Sequence, residues 1–144
     1  MREVVRNDKV VVFFPTEPAV LGHCMVIPRR HVEEFTALTS DEVSAVMTSA
    51  QAVAMSLRET QHPDGINIIQ SNGEAATQTV PHVHVHIVPR WDGDAFREIW
   101  PSKTNFSDEE KDRVLAKLRA TTLLPDSSVT PEDRRQHLSF AQNV

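Results

Sequence analysis

The chain has 144 residues, with 15 Lys and Arg against 20 Asp and Glu, one cysteine, four glycines and seven histidines. That length suits one domain burying roughly two-thirds of its unfolded surface. The single Cys24 excludes an intramolecular disulfide and any site built on several thiolates, and the four glycines lack the spacing of a phosphate-cradling loop. A net charge of −5 argues against a nucleic-acid partner. No apolar run approaches the ~18 residues of a membrane span, and the amino terminus lacks a signal-peptide apolar region. The expectation is a cytoplasmic protein with no cofactor, no nucleic acid and no membrane as partner.

Val4-Val5, Asn7-Asp8 and Val10 to Phe14 predict a hairpin closed by a two-residue turn, with Pro15 and Pro18 ending its second strand. Cys24 to Ile27 predicts a third strand stopped by Pro28. Thr39 to Glu42 has the form of a capping box. Beyond it Val43, Val46, Met47, Ala50, Val53, Ala54 and Leu57 recur at helical spacing, predicting a long helix packed on a sheet. Pro63-Asp64-Gly65 is a turn signal before a fourth strand, Ile66 to Gln70. Polar residues fill Ser71 to Thr79, and a fifth strand is expected from Val83 to Val88, ending at Pro89. A second capping box, Ser107 to Glu110, opens a helix with Val114, Leu115 and Leu118 inward, ended by Leu123-Leu124-Pro125. Thr130-Pro131-Glu132-Asp133 has the cap, proline and acids of one more helix start. Hairpin-joined strands, a helix and two further strands predict an α+β fold on an antiparallel sheet.

His82-Val83-His84-Val85-His86-Ile87-Val88 is the most informative stretch. Read as a strand, it turns Val83, Val85 and Ile87 to the core and lines His82, His84 and His86 on the other face about 6.7 Å apart. Three readings stand. The rings decorate a solvated face, or two of them share a metal ion, or a neutral imidazole attacks phosphorus. In the third, like-charge repulsion limits the cluster to one proton, so that one ring attacks while a protonated neighbour meets phosphate oxygens.

These residues resemble the His-φ-His-φ-His-φ-φ signature of the histidine-triad (HIT) family, in the branch that holds the fragile-histidine-triad and bacterial HIT hydrolases. Gly22-His23-Cys24-Met25-Val26-Ile27-Pro28 resembles the family's upstream strand segment, and Asn72 to Val80 its substrate loop; the resemblance runs in order from about residue 1 to residue 121. It implies a five-stranded antiparallel sheet with a long helix, paired as a two-fold homodimer. It also implies hydrolysis or transfer at the α-phosphorus of a small nucleotide through a nucleotidyl-histidine intermediate. The substrate classes are dinucleoside polyphosphates, nucleoside phosphoramidates and adenylylated small molecules. By position, His84 is the nucleophile, His86 contacts the phosphate and the leaving group, His82 orients its neighbours and His23 supports the site. Gln78 and Thr79 match phosphate-touching loop positions, with Ser71 and Asn72 on the same substrate side.

Three positions depart from the family pattern. Pro15 stands where a ribose-binding Asn or Asp is common, Thr77 replaces a loop glycine, and Ser71 stands where Asn or Gln is common. A nucleotide-binding module with little catalysis and a metal-dependent hydrolase are the alternatives. Residues 1–121 are expected to form the domain and 122–144 an extension that begins as helix. His31, His62 and His137 read as surface residues and Cys24 as a small core hydrophobe. One of Phe13 and Phe14 joins the core while the other is free to wall a nucleobase. Trp91 and Trp100 flank a Gly93-Asp94 turn.

Overall fold

A computed structural model describes residues 2–96, 104–122 and 124, and the chain divides into two compact units, 1–97 and 98–144. The first unit holds β1 (Arg2–Arg6), β2 (Val10–Phe14), β3 (Cys24–Pro28), α1 (Ser40–Gln61), β4 (Gly65–Gln70) and β5 (Val85–Arg90). The strands form one antiparallel sheet in the order β1-β2-β3-β5-β4. No helix among the described residues is long and apolar enough to cross a membrane.

Local chemistry explains each element. The β1–β2 turn closes because Asn7 Oδ1 accepts the N–H groups of Lys9 and Val10, each at 2.9 Å, so Asp8 and Lys9 are its central residues. Thr39 and Glu42 complete the capping box at the start of α1, satisfying N–H groups that no helical turn precedes. One sheet face buries Val10, Val12, Cys24, Val26, Val85 and Ile87 against Val46, Ala50 and Leu57 of α1. Phe14, Ala45, Val53 and Ala54 pack around this core. Met47, placed on the same stripe by its spacing, is 40% exposed instead, since it sits about 100° around the helix from Val46.

The fifth strand departs from expectation at both ends. It begins at Val85, so His82 and His84 precede it, and it continues through Pro89 to Arg90. Pairing with β3 covers only Val85 to Ile87, so beyond that point β5 is flanked by β4 alone. A residue without an N–H is tolerated on such a one-sided stretch. Upstream, the Val83 N–H leaves the ladder and donates to the Val32 carbonyl at 2.6 Å. The three histidines therefore do not form one flat row.

The second unit contains α2 (Asp108–Thr121), capped by Ser107 and Glu110 as the sequence predicts. Val114, Leu115 and Leu118, expected to point inward, are 57%, 41% and 54% exposed, and no residue of α2 is buried. Charged side chains occupy most of this helix, and so short an apolar stripe leaves much of its surface polar. The helix start expected at Thr130 lies outside the described residues, as do Leu123, Pro125, Trp100 and His137.

Candidate active site

The sheet face opposite the core carries one cross-strand row, Phe13–Met25–His86–Ile69, drawn from β2, β3, β5 and β4. Residues opposite one another in register share a face, so apolar side chains flank the His86 ring. Phe14 packs against the core, and Phe13 is the phenylalanine on the histidine face. His84, one turn of the pleat before His86, meets it edge to face with ring centroids 4.9 Å apart.

His23 reaches the same cluster from the turn ahead of β3. Its N–H donates to the Val20 carbonyl at 3.1 Å, and Gly22 takes φ 90° within that turn. A side chain at Gly22 would crowd Pro89 at 3.1 Å and Leu57 at 3.2 Å in a backbone conformation that favours glycine. The turn sets His23 Nε2 2.8 Å from His86 Nδ1, while the Ala19 N–H donates to His23 Nδ1 at 3.1 Å.

His84 is 7% exposed, and its Nδ1 lies 2.7 Å from the His82 carbonyl. A carbonyl only accepts, so Nδ1 carries the proton and Nε2 keeps its lone pair. No hydrogen bond among the described residues uses that Nε2. His82 itself turns away from the cluster. Its Nε2 donates to the Pro28 carbonyl at 2.9 Å, and its Nδ1 faces His31 Nδ1 at 3.1 Å. His31 is exposed, as the sequence leads one to expect, and it is also the partner of a triad histidine. Periodicity offers no signal for it, since His31 lies in coil beyond β3.

Burial lowers the affinity of His23 for a proton. Burial first, then His84 and His23, push His86 down to about 4. At neutral pH His86 is thus uncharged in the resting protein, where the sequence argument had placed a protonated neighbour. Burial also pushes the Cys24 thiol up, as befits its place in the core at 4% exposure.

The polar loop is braced from within. The Gly73 N–H donates to Gln78 Oε1 at 2.7 Å, and Gln78 Nε2 donates to the carbonyls of Glu33 and Val80 at 2.8 and 3.1 Å. Asn72 Oδ1 accepts the Phe35 N–H at 2.7 Å, and its Nδ2 donates to Gln70 Oε1 at 2.7 Å. Ser71 is half-buried where β4 ends, and its carbonyl accepts from Gln70 Nε2 at 3.0 Å. Thr79 is exposed, with a hydroxyl that makes no hydrogen bond among the described residues. It lines an open depression of about 510 Å³ together with Glu33, Glu34 and Glu74. Thr77 holds the left-handed conformation, φ 68°, which a β-branched residue adopts at a steric cost. His23, His84 and His86 are thus brought together, His82 pairs with His31, and Gln78 and Asn72 shape the loop. Among the described residues no group of three or more His, Cys, Asp or Glu side chains is arranged to hold a metal ion.

Known proteins share this architecture. A HIT-like protein of Saccharolobus solfataricus, itself uncharacterized, is 35% identical over 102 residues, covering 69% of this chain and 73% of its own. The bis(5'-adenosyl)-triphosphatase of Dictyostelium discoideum is 33% identical over 131 residues, covering 81% and 87%. A solved HIT family structure from Bacillus anthracis superposes with a TM-score of 0.75 at 28% identity, covering 85% of this chain and 88% of that one. The HIT domain family model matches residues 2–93, and with the triad, its upstream histidine and the five-stranded sheet in place, this chain belongs to the HIT family.

Proposed function

We propose that the protein hydrolyses or transfers the nucleotidyl group of a small nucleotide substrate by covalent catalysis at His84. The observation that carries this reading is the unengaged Nε2 of His84, held as a lone pair by the Nδ1 bond to the His82 carbonyl and set 4.9 Å, ring to ring, from His86. Nε2 attacks the α-phosphorus; the N–P bond forms as the bond to the leaving group breaks, and the leaving group departs with the electron pair. The imidazole then carries the positive charge, with its Nδ1–H still on the carbonyl. Water attacks the phosphorus in the second step and gives up a proton to solvent, the electrons of the N–P bond return to Nε2, and a nucleoside monophosphate is released. His86 contacts the phosphate and leaving group, the His82 carbonyl orients His84, His23 orients His86, and Thr79 meets phosphate from a loop that Gln78, Asn72 and Ser71 shape. The apolar row of Phe13, Met25 and Ile69 supports a base or ribose lying along the sheet. Dinucleoside polyphosphates, nucleoside phosphoramidates and adenylylated small molecules are the substrate classes, and a homodimer is the proposed assembly.

The test is a panel of diadenosine tri- and tetraphosphate and an adenosine phosphoramidate, run on the wild type and on His84→Ala. The variant is expected to lose turnover at least a thousandfold while retaining nucleotide affinity, on the order expected for removal of a covalent nucleophile. Intact-protein mass spectrometry after an alkaline quench is expected to show an acid-labile nucleotide adduct on the wild type only. Turnover by His84→Ala near the wild-type rate refutes the assignment.

A second reading, a nucleotide-binding module with little turnover, is favoured by Thr77, whose side chain stands in the loop at a left-handed position that suits glycine. Tight nucleotide binding without product from any member of the panel selects it.

A further inference from the structure

The hydrogen bonds around His23 admit only one arrangement of protons in the uncharged cluster. A main-chain N–H can only donate, so the Ala19 amide occupies the lone pair of His23 Nδ1 at 3.1 Å. The single proton of a neutral His23 then sits on Nε2. That N–H lies 2.8 Å from His86 Nδ1, which must accept it, and the proton of His86 is left on Nε2. The opposite assignment would set lone pair against lone pair at 2.8 Å, or N–H against N–H at Ala19. Each mismatch costs a buried polar group its partner, and His23 is only 6% exposed, so water offers little substitute.

We infer that the main-chain amide of Ala19, acting through His23, sets the Nε2–H tautomer of His86, and that Ala19 is a positioning residue for the triad. The loop around it supports this role. Pro15 and Pro18 restrict the chain on its approach, and the Val20–His23 turn, with Gly22 wedged against Pro89 and Leu57, folds the imidazole back over the Ala19 N–H. The result is an ordered sequence of donors, from Ala19 N–H to His23 to His86, whose last N–H is unengaged among the described residues. Beside it His84 offers a lone pair by the same logic, fixed by the His82 carbonyl. In their uncharged forms the two neighbouring rings are thereby made unlike, one presenting a lone pair and the other an N–H. That the His86 N–H then serves a phosphate oxygen rests on the nucleotide-hydrolase reading; the tautomer itself does not.

The test reads the resting protein. Imidazole ¹⁵N shifts of His86, assigned by comparison with His86→Gln, report which ring nitrogen carries hydrogen. In the wild type at neutral pH, Nδ1 of His86 is expected to be unprotonated and Nε2 protonated. Ala19→Pro removes the donor, and the ratio of the two His86 tautomers is expected to fall about tenfold, as loss of one hydrogen bond allows. Ala19→Gly keeps the N–H and should keep the wild-type pattern. If Ala19→Pro does not fold, a semisynthetic protein with an ester in place of the amide at residue 19 supplies the same comparison. A His86 that carries its proton on Nδ1, or a tautomer ratio unchanged by the ester or by a folded Ala19→Pro, overturns the inference. A shifted tautomer in a protein with no turnover on any nucleotide leaves the inference standing and removes the hydrolase reading instead.

Discussion

The depressed proton affinity of His86 makes stability depend on pH in a defined window. In the unfolded chain an imidazole titrates near its ordinary 6.5, whereas in the folded protein burial, His84 and His23 hold His86 at about 4. As pH falls through 6.5 the unfolded state takes up a proton that the native state refuses, so stability is lost with falling pH. The loss continues until about pH 4, where the native ring protonates as well. Each unit of difference corresponds to about 1.4 kcal/mol, which places the loss between about pH 7.5 and about pH 5 near 2 kcal/mol. Urea unfolding of the wild type and of His86→Gln at those two pH values isolates the contribution, because the other histidines are common to both proteins. The wild type is expected to lose about 2 kcal/mol more than the variant. Equal losses in the two proteins, within about 0.5 kcal/mol, would refute the claim that the cluster holds His86 uncharged.

Gly22→Ala forces a side chain into a left-handed turn and within 3.1 Å of Pro89, so a destabilisation of about 2 kcal/mol is expected by chemical denaturation. A neutral effect would show that the turn is not packed as described. Thr77→Gly relieves the strained conformation at φ 68° but adds freedom to the unfolded chain; the expected net is a stabilisation of about 0.5 kcal/mol, and a destabilised variant would contradict it. Glu42→Ala removes the reciprocal cap of α1 and the carboxylate that accepts from Arg30, and should cost about 1 kcal/mol at neutral pH. The Arg30 guanidinium and the Thr39 N–H hold that carboxyl at about 2, so its contribution is present above the ordinary 4.5 and fades as pH falls from there towards 2. Exhaustive chelation should leave turnover unchanged, and loss of activity restored by a divalent metal would instead select a metal-dependent hydrolase.

The sequence makes the sheet legible because each strand has its own punctuation. Asn7 closes the hairpin by accepting two backbone N–H groups, a property of the residue itself that needs no tertiary context. The capping boxes at Thr39 and Ser107 are equally local, and both form. The errors fall where a neighbour decides. Strict alternation predicted that His82 would share a face with His84 and His86. The ladder to β3, however, stops at Val85, and His82 is drawn to the Pro28 carbonyl and to His31. Proline lacks a donor, so Pro89 signals a strand end in the sequence, yet β5 continues where β3 no longer pairs with it. The amphipathic spacing of α2 predicted buried leucines, but periodicity alone does not state whether a partner surface exists. The part played by Ala19 is invisible to any residue pattern, since its contribution comes from the main chain.

What the structure adds to the motif is a division of labour among rings of one chemical type. Three imidazoles crowded together as cations would repel one another, and burial makes a charge on His23 or His86 dearer still. The fold avoids that conflict by assigning protons through backbone groups. The His82 carbonyl takes the Nδ1–H of His84, the Pro28 carbonyl takes the Nε2–H of His82, and the Ala19 amide denies His23 a proton on Nδ1. These backbone groups fix which ring nitrogen carries hydrogen in each uncharged imidazole. An uncharged cluster is poorly suited to attracting an anion over distance, and the net charge of −5 gives no help. Under the proposed function the same arrangement leaves His84 Nε2 with a lone pair and His86 Nε2 with an N–H to offer a bound anion. On that reading, a phosphate beside His86 would favour protonation of that ring and so raise positive charge next to the leaving group.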